Sequence, residues 1–147
     1  GWTNTHLYQF VYEEHSVIGN PEFLEEAVAY DREVKLAEIF NAPKVKMIYA
    51  YDFGDGWEHQ LVLEKITRDA PTGHQPVCLA GEMNCPPEDC GGLPGFKQLL
   101  KIINNPRHPE HEDMIAWLGE GYEADYFDLE VVNENLKNYK DIDMGFN

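Results

Sequence analysis

Serine occurs once in the 147 residues, at Ser16, and arginine only at Arg32, Arg68 and Arg107. Ser16 stands between His15 and Val17, outside any nucleophile elbow. A serine nucleophile acting on nucleic-acid phosphates would need more of both residue types, so that chemistry is excluded. A phosphate-cradling loop is missing too. Gly91-Gly92-Leu93-Pro94-Gly95 has no Lys-Ser/Thr behind it and no convincing strand ahead of it. No run of ~18 apolar residues is present, so no membrane span is expected, and no secretory leader opens the chain. Cysteine is sparse and odd in number, with three residues. That suits a reducing compartment, the cytoplasm, or a metal site better than a disulfide framework.

Positive charge is the other shortage. Eleven Lys+Arg against 27 Asp+Glu leave a net charge of −16. Such a surface repels phosphate backbones and anionic lipid. Direct non-specific nucleic-acid binding is therefore not expected, and a basic protein partner is. What remains is ordinary globular composition, 43% apolar and 26% charged. A chain of this length suits one domain that buries about 70% of its unfolded surface.

Residues 6–13 alternate Tyr8, Phe10 and Tyr12 with Leu7 and Gln9, which predicts a strand with aromatics on one face. Gly19-Asn20-Pro21 marks a turn. Residues 22–30 have a weak helical pattern, and 33–40 a short helical one. Val45, Met47, Tyr49 and Tyr51 then alternate with more polar neighbours, and Leu61, Val62, Leu63 and Ile66 form a second apolar run. Between them Phe53-Gly54-Asp55-Gly56-Trp57 predicts the turn of a β-hairpin over about 44–67. A two- or four-residue loop sets Asp52 opposite His59, Tyr51 opposite Gln60 and Tyr49 opposite Val62. An odd-length loop breaks the Asp52–His59 pair. A further short strand is expected around Gln75–Leu79. The paired prolines and glycines of Cys85-Pro86-Pro87-Glu88-Asp89-Cys90-Gly91-Gly92 exclude regular structure there. Apolar periodicity then predicts helices over about 94–104, 109–119 and 129–138. The second buries Met114, Ile115 and Leu118, and Asp128 caps the third. Strands first and helices afterwards define an α+β fold, an antiparallel sheet with its hairpin packed against the C-terminal helices.

Two constellations could carry chemistry. Cys78-x6-Cys85-x4-Cys90 could converge on zinc through thiolates, with His59, His74 or His108 as fourth ligand. No Cys-x2-Cys knuckle is present, and the competing expectation is three small apolar side chains in a tight loop. The second constellation is rich in oxygen. Asp52, Asp55 and His59 lie at the hairpin end, Glu88 and Asp89 in the rigid loop, and His108 and His111 at a helix start. Together they could hold a divalent metal or divide acid and base roles. Each also has a structural alternative: Asp55 in the turn, Asp52 and His59 as a cross-strand pair, His108 as a cap. The loop is expected to lie near the hairpin end, with Glu88 or Asp89 accepting from loop N–H groups, His59 or His108. The aromatics Trp2, Tyr8, Phe10, Tyr49, Tyr51, Phe53, Trp57 and Trp117 suit a sheet core or a ligand groove. Two functions follow from these residues. One is a soluble acidic accessory or protein-interaction module. The alternative is a metal-dependent hydrolase in which a bound water supplies the nucleophile.

Tyr49-Ala50-Tyr51-Asp52-Phe53-Gly54-Asp55-Gly56-Trp57-Glu58-His59 and Leu63-Glu64-Lys65 resemble the signature hairpin of the plasmid pRiA4b ORF-3-like family. Cys78-Leu79-Ala80-Gly81, the Cys85–Gly92 loop and Pro106-Arg107-His108-Pro109-Glu110-His111 follow in that family's order and spacing, and Gly1-Trp2 with His6-Leu7-Tyr8-Gln9-Phe10 resembles its early motif. The resemblance implies an intracellular bacterial or archaeal α+β domain of unknown function. It also implies a strand and helix ahead of Gly1-Trp2 that this sequence does not carry. Some relatives bear a transposon-resolvase label, which one serine, three arginines and a charge of −16 argue against. The family supplies no catalytic residue to carry over.

Overall fold

Alternating apolar side chains draw the first half of the chain into a five-stranded sheet. The computed structural model describes residues 2–13, 16–67, 75–119 and 121–138. It divides into a sheet unit, His6–Ala70, and a helical unit, Gly1–Thr5 with Pro71–Asn147.

The sheet unit holds β1 (Tyr8–Tyr12), β2 (Ser16–Ile18), β3 (Ala27–Ala29), the one-turn helix α1 (Leu36–Ile39), β4 (Lys46–Tyr51) and β5 (Trp57–Val62). Strand order is β3-β2-β1-β4-β5. All pairs are antiparallel except β2–β3, which is parallel and irregular at Val17/Ile18. The mostly antiparallel α+β sheet is the one expected; one expectation is corrected, since the weakly helical stretch 22–30 contributes a strand.

In the observed registers Tyr8 faces Tyr51 and Phe10 faces Tyr49 across β1–β4. Tyr49 faces His59 and Tyr51 faces Trp57 across β4–β5. One sheet face therefore gathers an aromatic row. The Phe10 and Tyr49 centroids are 5.1 Å apart, and those of Tyr49 and His59 are 5.5 Å apart. Such pairs contribute roughly 0.5–1.5 kcal/mol beyond their area burial. Toward β2, Ile18, Ile39 and Met47 form the buried core, with Phe10, Tyr12, Val34 and Phe40 packed on it. The Tyr8 hydroxyl donates to Asp31 Oδ2 at 2.6 Å. Burial first, and the adjacent Asp31 carboxylate second, push that phenol above its ordinary range.

The hairpin is present, but the expected register is wrong. The loop is odd in length, running from Asp52 to Gly56 between the paired Tyr51 and Trp57, so His59 meets Tyr49 and not Asp52. The reason is local. Asp52 leaves the strand with φ 53. Its Oδ1 accepts from Gly54 N–H (2.9 Å) and Asp55 N–H (3.2 Å). Its carbonyl accepts from Gly56 N–H at 2.6 Å. A side chain that closes its own turn belongs to the loop rather than the ladder.

The helical unit contains α2 (Gly92–Ile103), α3 (His111–Leu118) and α4 (Leu129–Lys137). Phe96, Leu99 and Ile102 recur at three-residue spacing and are buried. Helices α2 and α3 pack on each other, and His111 Nδ1 donates to Ile102 O at 3.1 Å. The buried stripe expected on α3 is not found: no residue of this helix is buried, and Ile115 is 43% exposed. Gly119 ends α3 at φ 77. Asp128 caps α4 as expected, its Oδ1 accepting from Glu130 N–H and Val131 N–H at 2.9 and 3.0 Å. The Val131 bond is the main reason its carboxyl sits below the usual range.

Residues 75–80 form no ladder, which corrects the strand expected there. A side chain takes the partner's place: Asn133 Oδ1 accepts from Cys78 N–H (2.8 Å) and Asn133 Nδ2 donates to Cys78 O (3.0 Å). Asn133→Ala leaves both Cys78 backbone groups without these partners. It is expected to cost about 1–2 kcal/mol, read by urea unfolding, with faster amide exchange at Cys78. An unchanged Cys78 exchange rate would show that the clamp is not formed. Among the described residues no helix is long and apolar enough to cross a membrane.

Candidate functional site

The loop between residues 85 and 92 is fixed by its own composition. Pro86 and Pro87 restrict φ, Asp89 turns at φ 54, and Gly91 and Gly92 adopt φ 85 and 61 to start α2. The first turn of α2 then folds back onto the loop so tightly that a Cβ on Gly95 would lie 1.9 Å from Cys90 O.

The N-terminal segment of the same unit is tied to this loop. Trp2 Nε1 donates to Pro86 O at 2.9 Å. Glu88 Oε1 accepts from Thr3 N–H at 2.8 Å and from Thr3 Oγ1 at 3.1 Å. From the other side Tyr122 OH donates to Cys85 O at 3.3 Å. Asn84 N–H donates to Ala124 O at 2.8 Å. The result is a cleft of about 400 Å³ bounded chiefly by Trp2, Pro86, Pro87, Glu88, Trp117 and Tyr122. A second cleft of about 410 Å³, lined by Asp89, Cys90, Gln98 and Met114 among others, shares Trp117 with the first. Burial pushes the Cys85 thiol up, and burial together with the nearby Cys85 and Cys90 does the same to the Tyr122 phenol. Both groups are neutral at pH 7.

The candidate residues from the sequence fall in both units. In the sheet unit Asp52 is buried and braces its turn. Asp55 is half-buried within that turn, and exposed His59 donates through Nδ1 to Tyr49 O at 3.2 Å. Within this unit a described imidazole, that of His6, lies beside Asp52, with Nδ1 3.7 Å from Asp52 Oδ2 and its ring edge-on to Tyr51. His6 was not singled out in the sequence. Its signal lies in the β1–β4 pairing, which sets Leu7 opposite Asp52, with Asp52 N–H donating to Leu7 O at 2.9 Å, and so brings the next residue back, His6, to the start of the turn.

In the helical unit Glu88 is half-buried and Asp89 exposed. Among the described bonds, the donors to Glu88 come from Thr3. His108 Nδ1 accepts from Glu110 N–H at 3.2 Å, a local cap, and His111 bridges α3 to α2. Cys78 Sγ lies 3.4 Å from Ala80 O and Cys90 Sγ 4.0 Å from Gly92 O. The three sulfurs do not gather into one ligand set among the described residues. His74, named as a possible fourth ligand, lies outside the described residues. Tyr122 was missed in the sequence, because nothing local marks a tyrosine that closes on a loop 37 residues earlier.

The architecture is that of an α+β protein whose candidate residues lie mostly in turns, loops and helix ends. The family model for plasmid pRiA4b ORF-3-like protein matches residues 1–131, and the chain belongs to that family. It is 32% identical over 120 residues to the uncharacterised protein y4hQ of Sinorhizobium fredii, a match covering 81% of this chain. The match spans 61% of the length of that relative. It is also similar to the crystal structure of the protein of unknown function MM3350 from Methanosarcina mazei Go1. There the TM-score is 0.75 at 30% identity, covering 88% of this chain and 74% of that one. Family and relatives alike are of unknown function.

Proposed function

We propose that the protein is a non-catalytic interaction module that docks a basic protein partner through its helical unit. The observation that supports this best is apolar exposure on a strongly acidic chain. Leu93, Ile115 and Trp117 are 53%, 43% and 49% exposed, and Trp117 walls both clefts beside the Cys85–Gly92 loop. An exposed aromatic anchor beside a rigid loop suits the centre of an interface, and a net charge of −16 suits steering toward a basic surface. A rigid loop also loses little further entropy on docking. The hydrolase alternative is less well supported. Asp52, His59, Glu88, His108 and His111 each have a described bond that shapes a turn, strand or helix end. The module is placed in the cytoplasm, which suits three thiols not joined in disulfides.

Fluorescence anisotropy with labelled Lys/Arg-rich, neutral and Asp/Glu-rich peptides tests this. Only the basic set should bind, and affinity should fall at least about tenfold from low to high salt as the Debye length shrinks. Equal binding of all three sets, or none of the basic set at low salt, overturns the proposal.

A further inference from the structure

We infer that the outer edge of β5 takes an extended, basic segment of a partner protein as one more strand of the sheet. This surface belongs to the sheet unit and goes beyond the helical-unit docking proposed above. Hydrogen-bond direction fixes which backbone groups face outward. Leu63 N–H donates to Val45 O at 3.0 Å, and Lys44 N–H donates to Leu63 O at 2.7 Å, so Leu63 turns its backbone toward β4. Along an antiparallel ladder, successive residues alternate between bonding to the neighbour and bonding away from it. Trp57, His59 and Leu61 therefore bond to β4, where they pair with Tyr51, Tyr49 and Met47. The N–H and C=O groups of Glu58, Gln60 and Val62 point away from the sheet. No hydrogen bond among the described residues reaches those groups, and all three residues are exposed.

Proteins usually blunt a sheet edge by shortness, proline, bulges or several charges. The opposite edge, β3, is three residues long. β5 has six residues and pairs with β4 without a register shift, and it holds no proline and one charged side chain, Glu58. Charge then selects the occupant. Around Glu58, the acids Asp55 and Glu64 stand against the single cation Lys65 between residues 53 and 66. A second copy would bring two chains of net charge −16 edge to edge. Opposite charges paired across strands contribute roughly 0.2–1 kcal/mol, and like charges cost stability. A strand with Lys or Arg beside Glu58 gains where a second copy loses. On the other side of the sheet, His59 and Leu61 suit an apolar neighbour. The segment that fits alternates basic and apolar residues, with main-chain bonds giving affinity and the alternation giving selectivity.

The test uses the whole chain and a capped peptide of alternating Lys and Val, as long as β5. Its companions are the same peptide with Glu in place of Lys, and the Lys peptide N-methylated at every backbone nitrogen. Amide exchange by NMR compares Glu58, Gln60 and Val62 with Trp57, His59 and Leu61, whose N–H groups are already in the ladder. In the free protein the first three should exchange fast, and saturation with the Lys peptide should slow them at least about tenfold. At low salt the Lys peptide should bind at least about tenfold more tightly than the Glu peptide, with the advantage shrinking as salt rises. The N-methylated peptide keeps the charge and loses the donors, and should bind at least about fivefold more weakly. Gln60→Pro removes an outward donor and no ladder bond. It should weaken the Lys peptide to the same degree while Trp57 and His59 stay protected. Glu58→Lys should abolish the preference for the Lys peptide over the Glu peptide. Equal binding of the N-methylated peptide, or of the Lys and Glu peptides, overturns the proposal. Edge amides already protected without peptide overturn it too, and a dimer by light scattering then names a second copy as the occupant. A Lys peptide that shifts the Trp117 indole and leaves the edge amides unchanged supports the helical-unit module and overturns the edge. Protected edge amides with an unmoved Trp117 do the reverse.

Discussion

Gly95→Ala is expected to destabilise the protein by about 2–3 kcal/mol, the upper part of the range for overpacking a tight site. An alanine at an interior helical position would ordinarily stabilise by roughly 0.5–1 kcal/mol relative to glycine. Here the sign inverts, because the added Cβ would stand 1.9 Å from Cys90 O and 2.8 Å from Cys90 C. Both are backbone atoms, so no side chain can rotate away. Relief requires the Cys85–Gly92 loop to lift from the first turn of α2, or that turn to unwind. Thermal unfolding should fall by roughly 4–12 °C, given about 2–4 °C per kcal/mol for a chain of this size. Gly119→Ala is the control. Its Cβ meets nothing within 4 Å, but φ 77 with ψ 175 is a region that glycine alone adopts readily, so it carries a backbone cost of about 1–3 kcal/mol without a packing clash. The two variants also differ in readout. Gly95→Ala should disturb Trp2 and Trp117, which line the clefts beside the loop, and Gly119→Ala should leave Trp2 unchanged. If Gly95→Ala is as stable as the parent, the loop and helix do not approach so closely, and the clefts need redrawing.

How much of this was legible in the sequence depended on the range of the interaction. Asp128 three residues ahead of Val131, the helical repeat of Phe96, Leu99 and Ile102, and the Asp-Gly turn are all local signals, and each produced its element. Register was not legible. It depended on whether Asp52 joined the ladder or capped the turn, and the carboxylate settles that through bonds to N–H groups two and three residues away. The strand expected at 75–79 failed because a short apolar run marks extended backbone, not a ladder partner. That segment is held by an Asn133 side chain 55 residues later. Strands β2 and β3 are three residues each, too short for any period to show. The candidate site divided the same way. The Pro-Pro and Gly-Gly pairs announced a fixed loop. What the loop binds to, Trp2, Thr3 and Tyr122, came only from contacts 37 to 85 residues apart. The α3 stripe misled because periodicity identifies an apolar face without saying whether anything covers it.

Asp52→Ala is expected to cost about 2–4 kcal/mol, and Asp52→Asn less than about 1 kcal/mol. Three effects act together at this residue. Alanine removes the acceptor for Gly54 N–H and Asp55 N–H. It places a Cβ-bearing residue with no side-chain oxygen at φ 53, a region that aspartate and asparagine tolerate and alanine does not. It also deletes the carboxylate oxygen 3.7 Å from His6 Nδ1. Asparagine retains the Oδ1 acceptor and the tolerance for a left-handed residue, so only the charge facing His6 is lost. Asp52→Gly separates the remaining two causes, since it frees φ without restoring the acceptor, and should fall between the others. Urea unfolding of the three variants gives the ranking, and the amide exchange of Gly54 and Asp55 locates it, with fast exchange in Ala and Gly and slow exchange in Asn. If Asn were as damaging as Ala, the carboxylate charge would be the main support of the hairpin end, and the turn bonds secondary. If Gly matched the parent, backbone strain at residue 52 would be the whole cost of Ala. The expected order, Asn then Gly then Ala, assigns Asp52 to building the turn that puts Trp57 and His59 on the aromatic face of the sheet.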